Sequence, residues 1–136
     1  MNHHTPNNNG DCLLCEDKLR FAHETLQIWF LEMRNEFKDV HISCSWRDKE
    51  DQEKAFHEGK TKALWPHSKH NFEKDGKPCS LALDVFQLDE GKALFQPKFF
   101  CKIHRFNQQR GYPILWGGKF RRLVDADHFE MNSEII

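Results

Sequence analysis

The chain has 136 residues, 38% of them hydrophobic and 30% charged, which is enough for one compact core and short for two. With 20 basic and 21 acidic side chains its formal charge is -1, which excludes a broad cationic field for gripping nucleic acid or anionic lipid. No apolar run approaches the ~18 residues that span a bilayer, and Met1-Asn2-His3-His4-Thr5 lacks the apolar segment of a signal peptide. The expectation is therefore a soluble, monomeric chain that begins in a cytoplasm.

Residues 1–11 carry nothing apolar after Met1 and read as a mobile tail, so the folded domain is expected over 12–136. Leu19, Ala22, Leu26, Phe30, Met33 and Phe37 recur at steps of three and four, which predicts one long helix over about 12–37. Val40, Ile42 and Cys44 then alternate with His41, Ser43 and Ser45, the period of a half-buried strand that delivers Ser45-Trp46-Arg47 at its end. Asp48 caps a short helix over 49–58, acidic in its first turn and closed by Gly59. A long irregular stretch over 60–78 holds His67 and His70, and loops of that length in a small domain usually carry function.

The next strand, 80–88, points Leu81, Leu83 and Val85 one way and Ala82, Asp84 and Phe86 the other. Asp84 thus stands in an apolar strand, where an unpaired carboxylate is costly, and it needs a partner. Phe99, Ile103, Phe106 and Arg110 define a helix over 96–110, ended by Gly111 and Pro113. Residues 114–116 read as a short strand, Gly117-Gly118 as a turn, and 124–131 as a last strand. Helices and strands mixed without regular alternation point to an α+β fold, a small antiparallel sheet with flanking helices.

Five cysteines without an export signal make a disulfide scaffold a poor reading, and Cys12-Leu13-Leu14-Cys15 has the spacing of half a zinc knuckle or of two thiols at a helix start. The nine histidines are more pointed. Ser68-Lys69-His70, Leu83-Asp84-Val85 and the segment Asp125-Ala126-Asp127-His128-Phe129-Glu130 together offer His, Asp and His. Two imidazoles and one carboxylate leave a fourth tetrahedral position open, the arrangement of a catalytic rather than a structural zinc. Zn2+ held this way activates water for amide hydrolysis once a nearby carboxylate takes the proton, and Asp125, three residues before His128, is the natural base.

The ordered set of motifs resembles the M15 group of zinc peptidases, which includes phage L-alanyl-D-glutamate endopeptidases and VanY-like D-alanyl-D-alanine carboxypeptidases. The resemblance rests on Ser68-x-His70, on Ala82-Leu83-Asp84-Val85, and on the carboxylate-x-x-His pair Asp125 and His128. Ser45-Trp46-Arg47 with Gln52 after it, and Trp116-Gly117-Gly118, agree with the same pattern. It implies the hedgehog/D-Ala-D-Ala peptidase-like fold, with His70, Asp84 and His128 on zinc, Asp125 as base, and Arg47 and Ser68 toward substrate. The substrate it implies is the peptidoglycan stem peptide, cut by a phage or prophage endolysin that waits in the host cytoplasm before release to the cell wall.

Asp84 lies fourteen residues after His70, with 72–80 reading as a loop insertion, and His67 is the alternative first ligand. Asp127 competes with Asp125, but beside His128 in a strand it is expected on the opposite face. His3, His4, His23, His41, His57 and His104 are read as tail, helix-surface or strand-surface residues, and Lys119, Arg121 and Arg122 as a solvated basic face. The competing functions are a D-alanyl-D-alanine carboxypeptidase, a non-catalytic zinc-stabilised wall-binding module, and an interaction domain whose zinc sits on Cys12, Cys15 and another thiol.

Overall fold

In the computed structural model, residues 12–121 and 124–132 are described; the tail expected at 1–11 and Arg122 lie outside them. The elements run α1 (Leu13–Leu19), α2 (Glu24–Glu36), β1 (Val40–Cys44), α3 (Lys49–His57), β2 (Glu73–Lys74), β3 (Lys77–Pro78), β4 (Ala82–Asp89), β5 (Lys92–Leu94), α4 (Pro97–Arg110), β6 (Ile114–Trp116) and β7 (His128–Met131). Single 3-10 turns cover Lys69–Asn71 and Gly117–Lys119. The fold is α+β, with an antiparallel sheet ordered β1-β4-β7-β6 and β5 added to β4.

β4 is the organising strand. Its first half pairs with β7, placing Asp84 opposite His128, and its last residues pair with β5; on its other edge it pairs with β1, placing Asp84 opposite Cys44. Leu81, Leu83 and Val85 enter the core, as their alternation predicts, with Trp29, Phe30, Phe100, Ile103 and Phe129. Trp29 on α2 packs against Phe129 on β7, ring centroids 5.5 Å apart, and donates its indole N–H to the Asn107 side chain on α4. The helices and the sheet thus share one apolar layer, and burial of such aromatic side chains supplies most of the folding drive. Among the described residues no helix is long and apolar enough to cross a membrane.

Four expectations are corrected. The helix expected over 12–37 is two helices, because the chain at 20–23 is drawn out to meet the segment before β4: Ala22 bridges Ser80, the His23 N–H donates to the Ser80 carbonyl at 2.8 Å, and the Ser80 N–H donates to Phe21 at 2.7 Å. His23, expected on a helix surface, caps α2 by accepting the Thr25 N–H. The irregular stretch over 60–78 contains the β2–β3 hairpin, turned by Asp75 and Gly76 at φ of 54° and 77°. The last strand starts at His128 and not at 124, because the Asp125 N–H is taken by the Gly117 carbonyl at 2.9 Å and the His128 N–H by the Asp125 carbonyl at 3.1 Å.

The other boundaries hold closely. Asp48 accepts the Asp51 N–H at the start of α3, and Gly59 closes its end at φ 76°. Gln96 precedes α4, with Pro97 in its first turn and Gly111 left-handed after its last residue.

Candidate metal centre

Three backbone elements bring the chemistry together. Ser68 opens the 3-10 turn by accepting the His70 N–H at 3.2 Å, and Asn71 returns a bond to the Ser68 N–H, so a capping box fixes the turn that carries His70. β4 carries Asp84, and β7 opens with His128 directly across from it. His70 Nε2 lies 3.2 Å from Asp84 Oδ1, His128 Nδ1 lies 2.9 Å from the same oxygen, and the two imidazole nitrogens are 3.2 Å apart. A tetrahedral ion with bonds of 2.0–2.1 Å holds its donors about 3.3–3.5 Å apart, so this trio fits one with shifts of a few tenths of an ångström.

The far side of each ring assigns its tautomer. His70 Nδ1 lies 2.6 Å from the Ser45 carbonyl, which only accepts, so Nδ1 keeps its hydrogen and Nε2 is the nitrogen left for an ion that displaces its proton. His128 Nε2 lies 2.9 Å from Glu130 Oε1, which leaves Nδ1 as its nitrogen toward an ion by the same logic. Glu130 is held in turn by Lys69, whose ammonium is 2.6 Å from its other oxygen and also donates to the Met131 carbonyl. Sequence reasoning gave Glu130 and Lys69 no role. The available signal was that Glu130, two residues after His128 in a strand, shares its face.

Arg47 is aimed by a buried scaffold. Gln52 on α3 accepts from the Arg47 guanidinium at 3.1 Å and from Asn71 at 3.0 Å, and donates to the Ala63 carbonyl at 2.7 Å. The Arg47 Nε donates to the Cys44 sulfur at 3.2 Å, and a terminal nitrogen sits 3.7 Å from Asp84 Oδ2. Arg47 therefore touches the carboxylate oxygen that His128 does not use. Cys44, also without an expected role, lies within reach of His70 Nδ1 at 3.7 Å.

Asp125 stands at the rim, its carboxylate 3.9 Å from His128 Nδ1 and its side chain about a third exposed. Its position depends on the close approach of the Trp116-Gly117 segment. A β-carbon on Gly117 would overlap the Asp125 carbonyl oxygen and come within 3.0 Å of the His128 β-carbon, so only glycine fits there. Trp116 adds a hydrogen bond from its indole to the Ala126 carbonyl at 2.7 Å.

The expectation for Asp127 is corrected. Residue 127 precedes the strand and does not take a strand residue's alternate face; it lines the same cavity as Asp125 and bonds to it. Burial pushes the Asp127 carboxyl up to about 8, and the Asp84 and Asp125 carboxylates add to the rise. In the metal-free protein, burial opposes the charge on Asp84, yet the neighbouring His70 and His128 hold it well below the carboxylate range. Burial likewise opposes charge on the histidines, but Asp84 lifts His70 well above its ordinary value, and Asp84 with Glu130 lifts His128 to about 9. Glu130 is lowered against its burial by His128 and Lys69.

Two solvent-open cavities flank the centre. One of about 670 Å³ is walled by Arg47, Lys54, Asp84, Phe95, Asp125 and Asp127; one of about 590 Å³ by His67, Ser68, His70, Phe120, Asp125 and His128. Arg47, Lys60 and Asp125 line both, so the pair forms a continuous trough past the trio. All the expected site residues thus meet around one trough, with Ser68 capping the turn that bears His70 while its side of the trough also includes His67.

No protein-family model matches the chain, and no curated protein matches it. Among solved structures, the crystal structure of Serratia marcescens L-Ala D-Glu endopeptidase ChiX is similar at 19% sequence identity and a TM-score of 0.66, over 89% of this chain and 88% of that one. At that identity the likeness establishes a shared fold across nearly the whole of both chains.

Proposed function

We propose that the chain is a zinc-dependent peptidoglycan peptidase that hydrolyses a stem-peptide amide, of the L-alanyl-D-glutamate endopeptidase type. The observation that carries this reading is the convergence of His70 Nε2, Asp84 Oδ1 and His128 Nδ1 beside an open trough, with the far nitrogen of each ring held by an acceptor. The fold shared with an L-Ala D-Glu endopeptidase supports the substrate class, and the resemblance of the ordered motifs to phage endolysins supports a lysis role, with the enzyme held in the host cytoplasm until it reaches the wall.

His70, Asp84 and His128 would hold the ion, which when bound supplies Lewis acidity and makes water nucleophilic near neutral pH. Asp125 takes the proton of the attacking water and returns it to the leaving amine, the work of a carboxylate at hydrogen-bond reach of the centre. Arg47, fixed by Gln52 and Cys44, donates to a substrate carboxylate or to the oxyanion that develops on the scissile carbonyl. Ser68 and Lys60 face the same trough and bond the polar backbone of the stem peptide.

The test is digestion of purified peptidoglycan by zinc-loaded wild type, chelated wild type and Asp125→Ala, with products identified by mass spectrometry and zinc measured in each protein. The expected result is scission between L-alanine and D-glutamate by the loaded wild type alone, with Asp125→Ala retaining its zinc and losing about 10²–10⁴-fold in rate. Release of a single terminal alanine would make the enzyme a carboxypeptidase. No cleavage by the zinc-loaded protein would leave a wall-binding module in its place.

A further inference from the structure

A second group of donors is not absorbed by the trough. Cys12 and Cys15 sit at the start of α1, His41 sits on β1, and their two sulfurs and one imidazole nitrogen all lie within 4.8 Å of one another. Cys15 Sγ is 3.4 Å from His41 Nδ1. With zinc–sulfur bonds of about 2.3 Å and zinc–nitrogen bonds of about 2.0–2.1 Å, a tetrahedral ion sets a sulfur and a nitrogen donor about 3.6 Å apart, so the observed separation is already that of a coordinated pair.

The backbone supports both sulfurs as acceptors. The Cys15 N–H points at Cys12 Sγ at 3.4 Å and the Ile42 N–H at Cys15 Sγ at 3.3 Å. The Ile42 amide aimed at Cys15 favours the thiolate, the form that ligates a metal. Against that, burial and the adjoining Cys12 push the Cys15 thiol up to about 12 in the metal-free protein, so an ion has to displace that proton. His41 was expected on a strand surface; instead it is buried, stacked on Phe86 with its Nδ1 turned to Cys15. All three residues are nearly sealed, at 2%, 1% and 5% exposure, which leaves no room for a substrate.

We infer that Cys12, Cys15 and His41 form a second cation site, for zinc or a comparably thiophilic divalent ion, that clamps α1 to the edge strand β1. Two thiolates and one imidazole, with a water in the fourth position, make a set zinc accepts. The clamp ties together two elements far apart in sequence: α1 is only 7 residues long, and β1 lies beyond the whole of α2. A helix that short is marginal without tertiary ties.

Cobalt(II) titration of the wild-type protein tests the site independently of the trough, because thiolate ligation gives a near-ultraviolet charge-transfer absorption that His and Asp ligands do not. Two equivalents should bind with that band present, and the Cys12→Ser/Cys15→Ser protein should bind one equivalent with the band gone. Asp84→Ala should lose the other equivalent and keep the band, which separates failure here from failure of the proposed active site. Cys44→Ser should also keep it, since Cys44 belongs to the trough. A wild type without the band, or a band that disappears in Cys44→Ser, overturns the assignment. Should the double variant not fold, zinc-edge X-ray absorption of the zinc-loaded Cys44→Ser protein decides: a sulfur shell near 2.3 Å is expected, and its absence is fatal to the site.

Discussion

The donor cluster at His70, Asp84 and His128 and the one at Cys12, Cys15 and His41 are anchored on the same sheet, one joining the 3-10 turn of His70 to β4 and β7 and the other joining α1 to β1. The first borders a trough of several hundred cubic ångströms, with a carboxylate at its rim and a guanidinium 3.7 Å from Asp84. The second is packed under α1 with its sulfurs already facing backbone N–H groups. Ligand type alone does not separate a reactive centre from a staple. What separates them is access, and the Asp125 carboxylate at the rim of the trough, which the proposed function makes the proton acceptor.

Perturbing the trough while sparing the α1 cluster gives the largest effect. Gly117→Ala forces the 125–128 segment away from the Trp116-Gly117 chain, and a displacement of about 1 Å at the base costs about 100-fold in turnover. Muropeptide kinetics should record this as a fall in kcat, with the thiolate band of the cobalt protein unchanged. A Gly117→Ala enzyme of wild-type kcat would mean that the close approach does not position Asp125.

A smaller effect is expected from the carboxylate behind His128. Glu130→Gln still reaches Nε2 but no longer offers a charged acceptor to the ring and to Lys69, and loss of such a partner weakens metal binding by about 10–100-fold. Competition with a chromophoric chelator measures this directly. Unchanged zinc affinity would assign the Lys69–Glu130 pair to packing alone.

The smallest effect is a pH signature. In chelated protein His128 is raised from 6.5 to about 9, with His70 raised in the same direction, so each contributes stability that is complete below 6.5 and is lost as pH climbs through the folded value. The thermal midpoint of the chelated protein should therefore fall between pH 6.5 and 9. Zinc must displace those same protons, so the stabilisation it adds should grow over the same interval. A chelated midpoint that rises with pH there would contradict the assigned pairing of Asp84 with the two rings.

Much of this was legible in the sequence because the signals are local. Alternation predicted β1 and β4 and put Asp84 in an apolar strand that demanded a partner; capping residues bounded α3 and α4; and motif order assembled Arg47, His70, Asp84, Asp125 and His128. The errors came from long-range pairing. Nothing between 20 and 23 announces that Ser80 will pull the backbone out of a helix whose apolar spacing continues unbroken. Asp75-Gly76 and Glu90-Gly91 were readable as hairpin turns, with all four residues at positive φ, but β2, β3 and β5 beside them are only two or three residues long and carry too little alternation to register. His41 looked like a surface residue because its neighbours in sequence alternate, while the helix that covers it lies more than twenty residues earlier.

The central claim is that one ion is held by His70, Asp84 and His128. Anomalous diffraction at the zinc absorption edge from crystals of the zinc-loaded protein tests it most directly. The account predicts a peak about 2.0–2.2 Å from His70 Nε2, an Asp84 carboxylate oxygen and His128 Nδ1. A zinc-loaded crystal with no anomalous density between those three atoms would contradict it.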